Sequence, residues 1–343
     1  MAANRTDRLS RIGLGCYALG GGYGNVTEAD AGATVDAAIA CGWTLVDTAE
    51  SYLDSEYRLG RILKSRREDV FLATKVFPCE PYTEDNIVTA AEASLRRLQT
   101  DRIDLYQLHG PEDWIRPYAT PLDEVAGALN RLVDEGKILR VGACNFPVQD
   151  LEELNKHVRL FSLQDLYGPL DPGAEYDLPN IPSVTRKLQF AADHGIAFLA
   201  YSPLARGLLS ANPHTKRSFP REDERHYLPR YQAGVYEHFA ALAQQLADWA
   251  GQRGRSLPEL AIAWCLHNPT VTSVLVGAKS PEQVRQLANA ESWTLSDDDV
   301  AFVDAAVSTL PDVAKEALVT IWDHFPEAAV DAMSARRRAA LET

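Results

Sequence analysis

The chain has 343 residues, 46% of them hydrophobic, enough to bury a large core, and a formal net charge of -14 from 48 acidic against 34 basic residues. No basic stripe appears outside a short run from Arg336 to Arg338, which argues against nucleic acid as a partner. The polar start from Met1 to Arg11 lacks an apolar targeting core, and no apolar run approaches the ~18 residues of a membrane span, so the sequence reads as soluble and cytoplasmic.

Taken in order, the chain gives strand then helix, repeatedly. Arg11 to Leu14 is a first strand, followed by a glycine-rich loop from Gly20 to Gly24 and a helix capped by Thr27 with Asp30 and closed at Cys41 and Gly42. Thr44 to Asp47 is the second strand, with Ser55 capping a helix to about Lys64. Val70 to Lys75 is the third, and Thr83 caps a helix to about Leu98 with Ile87, Ala91, Leu95 and Leu98 on one face. Ile103 to His109 is the fourth, and its helix opens at Thr120 with Pro121 in the first position and stops at Gly136. Leu139 to Cys144, Leu160 to Gln164, Ala197 to Tyr201 and Ser273 to Val276 complete eight strands. Their helices run from about Val148, from Pro182 to His194, from Val235 to Gly251 with Pro258 to His267, and from Pro281.

Eight such units with short returns and no linker predict one closed (β/α)8 barrel, a TIM barrel, spanning 1–343 as a single domain with its core at 11–308 and a tail at 309–343. The loops after strands four, six and seven are the longest, and in such barrels these loops build the active face. The tail carries Trp322, His324 and Phe325, which could fold over that face. Trp114, Tyr118, Tyr167, Phe219, Tyr227 and Tyr231 are candidate pocket walls, half of them equally explained as loop packing.

Side chains two apart on a strand share a face, and every barrel strand turns one face inward. Counting back from the strand ends pairs Leu45 with Asp47, Ala73 with Lys75, Gln107 with His109, Ser162 with Gln164 and Leu199 with Tyr201. Asp47, Tyr52, Lys75 and His109 then converge at one mouth, while Gln107 reads as structural. A tyrosine with a pKa of about 10 is a poor proton exchanger at neutral pH, and a neighbouring ammonium stabilises its anion. Lowering that value by roughly two units needs about 2.7 kcal/mol, which Lys75 could supply while Asp47 holds the lysine and His109 orients a carbonyl. Singly, each residue is better explained as a cap, a solvated side chain or packing; their joint occurrence at three consecutive strand ends favours the functional reading.

At these residues the sequence resembles the aldo-keto reductase family, from Arg11 to about Ala290. Asp47 Thr48 Ala49 with Tyr52 resembles its Asp-Thr-Ala-x-x-Tyr motif, Ala73 to Lys75 its lysine strand, and Leu105 to His109 its histidine strand. Val141 to Phe146 is similar to the segment usually ending Ser-Asn-Phe, Tyr201 to Gly207 to the seventh-strand cofactor segment, and Gly277 to Gln283 to the phosphate-binding turn. The resemblance implies an NAD(P)H-dependent carbonyl reductase with Tyr52 as proton donor and Asp47, Lys75 and His109 completing a tetrad. It further implies that Cys144, Asn145 and Gln164 meet the nicotinamide carboxamide and Tyr201 stacks on the ring. Ser202, Leu204, Arg206 and Gly207 would line the pyrophosphate, and Gly277, Lys279 and Gln283 the adenosine 2'-phosphate end. At that end, a loop entering a helix at Pro281 should present free N–H groups and a positive dipole end.

NADPH is the expected cofactor, with NAD the alternative, since Gln286 and Leu287 replace the family's usual Glu and Asn. Leu53 replaces the usual glycine after the tyrosine, and Cys144 the usual serine, a weaker donor. No metal site is indicated: the five cysteines show neither paired spacing nor nearby histidines in a ligand pattern. No G-x-G-x-x-G opens a helix, which sets aside a Rossmann fold. The expected substrate is a small aldehyde or ketone, including sugar-like ones. Three alternatives stand beside this: an alcohol or aldose dehydrogenase using the same residues, an aldolase forming a Schiff base at Lys75, and a cofactor-binding regulatory subunit. Oligomeric state is left open by the sequence.

Overall fold

The computed structural model describes residues 9–114, 117–171, 184–210, 219–220, 223–319 and 335. Eight parallel strands close into a barrel in sequence order: β1 (Ile12–Gly15), β2 (Leu45–Asp47), β3 (Phe71–Val76), β4 (Leu105–Leu108), β5 (Val141–Cys144), β6 (Leu160–Leu166), β7 (Ala197–Tyr201) and β8 (Val271–Gly277). β8 returns to β1, aligning Gly15 with Gly277. Around them run α1 (Glu28–Ala40), α2 (Ser55–Ile62), α3 (Glu84–Leu98), α4 (Leu122–Asp134), α5 (Val148–His157), α6 (Val184–His194), α7 (Tyr236–Gly251), α8 (Leu257–His267), α9 (Pro281–Ala288), α10 (Asp297–Ser308) and α11 (Asp312–Val319).

Local chemistry explains most of the boundaries. Thr27 and Thr83 accept the amides of Asp30 and Asn86 at the starts of α1 and α3, satisfying donors that a helix leaves unpaired. Ser256 and Glu259 form a reciprocal capping box on α8. Gly136 and Gly195 follow α4 and α6 with φ of 71° and 64°, a region that glycine enters without a Cβ clash.

Two expected caps are corrected. α2 begins at Ser55 itself, and Asp54 occupies the cap position without a side-chain bond. The Ser55 hydroxyl instead donates to the Cys16 carbonyl at 3.1 Å and accepts from Thr48 at 2.7 Å, tying β1 to the β2–α2 loop. α4 starts at Leu122, one residue after Pro121, because Thr120 is held by the Glu112 carboxylate through its amide (2.7 Å) and hydroxyl (2.9 Å).

The barrel interior follows strand parity. Leu45, Phe71, Ala73, Leu105, Leu199 and Leu275 form one buried cluster inside it, separate from the larger layer between strands and helices. Register shifts between β5 and β6 and between β7 and β8 put the extra residues Phe161 and Thr272 at the starts of β6 and β8. Phe161 stacks on Phe71 at 5.9 Å, closing the lower end.

The segment expected to be a tail begins with α11, whose Ala314 and Ala317 are buried and whose Leu318 carbonyl accepts from Arg230 at 3.1 Å. Trp322, His324, Phe325 and Arg336 to Arg338 lie outside the described residues, as does the expected start of α6 at Pro182. Among the described residues no helix is long and apolar enough to cross a membrane, and no cluster of three or more His, Cys, Asp or Glu could hold a metal.

Candidate active site

The inward faces of β2 and β3 end in a carboxylate and an ammonium. Lys75 Nζ, fully buried, donates to Asp47 Oδ1 at 2.5 Å, to the Thr48 carbonyl at 2.9 Å and to Tyr52 Oη at 3.5 Å. The ammonium also lies 4.9 Å from the Tyr52 ring centroid. The second carboxylate oxygen, Asp47 Oδ2, accepts from Gln107 Nε2 at 3.2 Å and Gln164 Nε2 at 3.0 Å. Every acceptor of the buried anion is therefore directed at a donor, as burial of a charge requires. Gly142 makes room for this polar layer: a Cβ there would stand 2.3 Å from Ser162 Oγ and 2.9 Å from Gln107 Cγ.

Tyr52 is carried by the loop after β2. Gly20 lets the β1–α1 loop lie on that loop, since a Cβ there would meet the Tyr52 carbonyl at 2.1 Å. Behind it, Glu56 accepts from Arg97 and from Thr74 Oγ1, both at 2.6 Å, and Glu50 accepts the Phe77 amide at 2.6 Å. These bonds fasten both ends of the loop to the strand that bears Lys75. Leu53, next to Tyr52, has φ 50° and is 42% exposed, a left-handed conformation that costs a branched side chain free energy.

His109 follows β4, its amide bonded to the Val76 carbonyl at 2.9 Å. Its ring packs edge-on against Tyr52 (5.6 Å) and Phe77 (5.5 Å), and Ser51 Oγ lies 3.4 Å from Nδ1. Desolvation, then the Lys75 charge, holds its pKa well below the usual imidazole value, so the ring is neutral at neutral pH. Burial alone would pull the Lys75 ammonium down, but Asp47, Tyr52 and Cys144 outweigh it and hold the lysine above its usual value.

The expected lowering of the Tyr52 pKa is corrected. Desolvation exceeds the opposing effect of Lys75, and the phenol is pushed up to about 12. The phenol is thus firmly protonated at neutral pH in this state.

The remaining expected residues form a second arc. Asn145, at φ 65°, donates from Nδ2 to the His109 carbonyl at 3.0 Å and to Cys144 Sγ at 2.9 Å, and accepts from Tyr201 Oη at 2.8 Å. Cys144 Sγ lies 3.8 Å from Gln164 Oε1, and burial pushes the thiol well above its usual pKa. Ser202, Arg206 and Gly207 all have positive φ, and Leu204 lies within the same tight turn, where its carbonyl accepts the Gly207 amide at 2.8 Å. Lys279 reaches across the rim to the Tyr23 carbonyl at 3.0 Å.

The free N–H groups expected before α9 are partly taken. Ser280 accepts the Gln283 amide at 3.3 Å, and Gln283 Oε1 accepts the Lys279 amide at 2.8 Å. Gly277 and Gly15 face each other as bare backbone, and a Cβ on Gly277 would find its nearest neighbour 3.9 Å away.

Among the expected wall aromatics, Tyr167 is buried against Phe198 and Trp264 behind the strands, Tyr227 is exposed, and Phe219 packs edge-on against Tyr231. The side chain of Trp114 lies outside the described residues. Two aromatics not anticipated, Tyr17 and Tyr23, form an edge-to-face chain leading to Tyr52 at 5.1 Å. Both sit around the glycine-rich loop, where no periodicity marks them. Ser51 and Gln107 were likewise not expected in the site, although inward parity carries the signal for Gln107.

The sequence model of the aldo/keto reductase family matches residues 11–308. The chain belongs to that family. It is accordingly an oxidoreductase. An aldo-keto reductase of Bacillus subtilis (strain 168), YhdN, is 33% identical over 303 residues, 84% of this chain and 87% of that protein. The NADH-specific methylglyoxal reductase of Escherichia coli (strain K12) is 32% identical over 321 residues, 86% and 94% of the two chains. Among solved structures, an aldo/keto reductase from Klebsiella pneumoniae in complex with NADP and acetate superposes with a TM-score of 0.68 at 30% identity, covering 89% of this chain and 93% of that one.

Proposed function

We propose that this aldo/keto reductase moves hydride between a nicotinamide dinucleotide and the carbonyl carbon of a small aldehyde or ketone, with Tyr52 as the general acid. The observation that carries the reading is the fully buried Lys75 ammonium, 2.5 Å from Asp47 and 3.5 Å from the Tyr52 hydroxyl, with neutral His109 packed edge-on against that ring. A phenol pushed up to about 12 keeps its proton until a negative oxygen forms beside it. Lys75 then stabilises the phenolate left behind, and the Asp47 carboxylate keeps that cation in place. His109, being neutral, donates a hydrogen bond to the substrate oxygen without adding charge.

The arc from Asn145 to Gln283 fits a dinucleotide. Gly15 and Gly277 leave a bare stretch of rim that a Cβ would narrow. Tyr201 is held at its hydroxyl by Asn145, and its ring would stack on the nicotinamide. Ser202 to Gly207 would line the pyrophosphate and Lys279 with Gln283 the adenosine end. Bound there, the cofactor supplies the hydride. Asn145 Oδ1 already accepts from Tyr201 Oη at 2.8 Å and both its amide hydrogens are directed at protein atoms, so Gln164 Oε1, whose neighbour is a thiol at 3.8 Å, is the better acceptor for a carboxamide. NADPH is the preferred nucleotide and NAD a second one, a reading supported by likeness to the NADP complex and to the NADH-specific relative.

The Schiff-base alternative meets a physical objection. It needs a neutral, accessible amine, whereas Lys75 is fully buried, raised in pKa and surrounded by three acceptors. The dehydrogenase direction uses the same groups in reverse, with the Tyr52 oxygen receiving the alcohol proton. The test is titration with NADPH and with NADH, followed by a carbonyl panel on wild type and Tyr52→Phe. Binding with turnover that collapses in the variant supports the reading; binding of neither nucleotide overturns it.

A further inference from the structure

Tyr52 sits on the loop between β2 and α2, and acidic side chains at the two ends of that loop meet a single cation. Past β2 the chain keeps pairing with β3: the Thr48 amide donates to the Ala73 carbonyl at 2.9 Å and the Glu50 amide to the Lys75 carbonyl at 3.2 Å. There the main chain turns away, and the Glu50 carboxylate accepts the Phe77 amide at 2.6 Å, where a continuing strand would offer its own carbonyl. Further on, Glu56 in the first turn of α2 accepts from Thr74 Oγ1 at 2.6 Å. Thr74 and Lys75 are neighbours on β3 and point to opposite faces. The loop therefore grips that strand from both sides, Tyr52 meeting Lys75 within the barrel and Glu56 meeting Thr74 outside it.

Arg97, on α3, lies between the two carboxylates. Its Nε donates to Glu56 Oε2 at 2.6 Å, and its Nη2 donates to Ser94 Oγ at 3.1 Å and lies 3.9 Å from Glu50 Oε2. The side chains of Arg97, Glu50 and Glu56 are only 9%, 7% and 2% exposed. Burial alone would pull the guanidinium down, but Glu56 and then Glu50 outweigh it and hold it above its usual value. Gly60 makes this reach possible, since a Cβ there would stand 2.3 Å from the Arg97 carbonyl and force α2 and α3 apart. The polarity of the contacts is fixed, because a guanidinium only donates and an ionised carboxylate only accepts.

We infer that Arg97 is a positioning residue that closes the Tyr52 loop: one guanidinium draws Glu50 and Glu56 together, and their span sets where the Tyr52 hydroxyl stands against Lys75. A lysine is a poor substitute, being a compact point charge without the planar fork that addresses two carboxylates from one fixed plane. The inference rests on the proposed chemistry in one respect: displacing Tyr52 slows turnover only if Tyr52 passes the proton. Closure of the loop does not depend on that reading. A second guanidinium supplies the contrast, for Arg67 donates to Asp104 at 2.6 Å and to the Val70 carbonyl at 3.2 Å, at the opposite end of β3.

Arg97→Met would leave two buried carboxylates without their cation and endanger folding itself, so the test uses Arg97→Lys, with Arg67→Lys as the structural control. Amide hydrogen exchange of the full chain, followed by mass spectrometry of peptides covering residues 48–56, reads the loop directly. Exchange there should be faster in Arg97→Lys and unchanged in Arg67→Lys. In Arg97→Lys, kcat for carbonyl reduction should fall about 10- to 100-fold, the cost of a displaced reacting group, with nucleotide affinity as in wild type. The solvent deuterium isotope effect on kcat should rise, because proton transfer from a displaced phenol becomes limiting. Arg67→Lys should lower the thermal midpoint and leave kcat and the isotope effect alone. Wild-type exchange in Arg97→Lys overturns the inference, as does a wild-type kcat there or an equal fall in kcat in both variants. If the loop loosens in Arg97→Lys while wild type binds neither nucleotide and reduces no carbonyl, the proposed function fails and the closure of the loop by Arg97 stands.

Discussion

Two layers of the barrel interior, stacked along the same strands, were built from the same parity and do opposite things. The lower layer, Leu45, Phe71, Ala73, Leu105, Leu199 and Leu275, is apolar and closed by Phe161. Two residues further along β2 and β3 stand Asp47 and Lys75, joined at the same level by Gln107 and Gln164. The lower layer gains free energy by leaving water. The upper one loses solvation and recovers it only through complete pairing, so its net contribution to stability is small while its geometry is closely specified.

Tyr52→Phe and Phe71→Ala should separate the two layers most sharply. The first should cost about 10²- to 10⁴-fold in turnover with little change in unfolding free energy, the loss associated with a general acid. The second should cost about 3–5 kcal/mol of stability, read by denaturant melts, with activity retained in the folded fraction. Equal effects of both on turnover would mean that the layers are not functionally distinct.

Lys75→Met should join both penalties, because it leaves the Asp47 carboxylate buried with only Gln107 and Gln164 as donors. The expected stability loss is about 3–5 kcal/mol, and adding Asp47→Asn should recover much of it while turnover stays abolished. Recovery of turnover in the double variant would remove Lys75 from the mechanism.

A smaller effect is expected from pH. The folded His109 value lies well below its unfolded value near 6.5, so the unfolded chain binds the extra proton first as pH falls. Its contribution to stability is therefore fully present above about pH 6.5 and is lost progressively on acidification towards the depressed folded value. His109→Gln should flatten that part of the stability profile, and an unchanged slope would place the titration elsewhere. The smallest change is expected of Leu53→Gly, which relieves a left-handed φ of 50° and should stabilise by about 1 kcal/mol, less the extra chain entropy of glycine.

Parity made Asp47 and Lys75 legible because β2 and β3 alternate without interruption up to those residues, and His109 because β4 does the same. Tyr52 came from spacing within one loop. The convergence of Gln107 and Gln164 on one carboxylate oxygen was not legible, since those bonds join residues 60 and 117 positions from Asp47, and a local pattern carries no information on reach across a barrel. Ser55 was misread for a related reason: a serine before a helical run matches a cap, yet its hydroxyl found a better use against Cys16 and Thr48. The sign of the Tyr52 shift was missed because a sequence names the neighbouring charge but not the depth of burial that opposes it.

Arg230 is the place where α11 meets the loops after β6 and β7. Its guanidinium is buried in the long β7–α7 connection and paired with Asp171 of the β6–α6 loop at 2.7 Å, with the Leu318 carbonyl of α11 as a further acceptor. Its Nε has no hydrogen-bond partner among the described residues. A cation with one donor already unmatched has little tolerance for losing another, and Leu318 lies outside residues 11–308, which the family model matches. The loops after β6 and β7 are thus moored, through one buried cation, to a helix that lies beyond the segment matched by the family model.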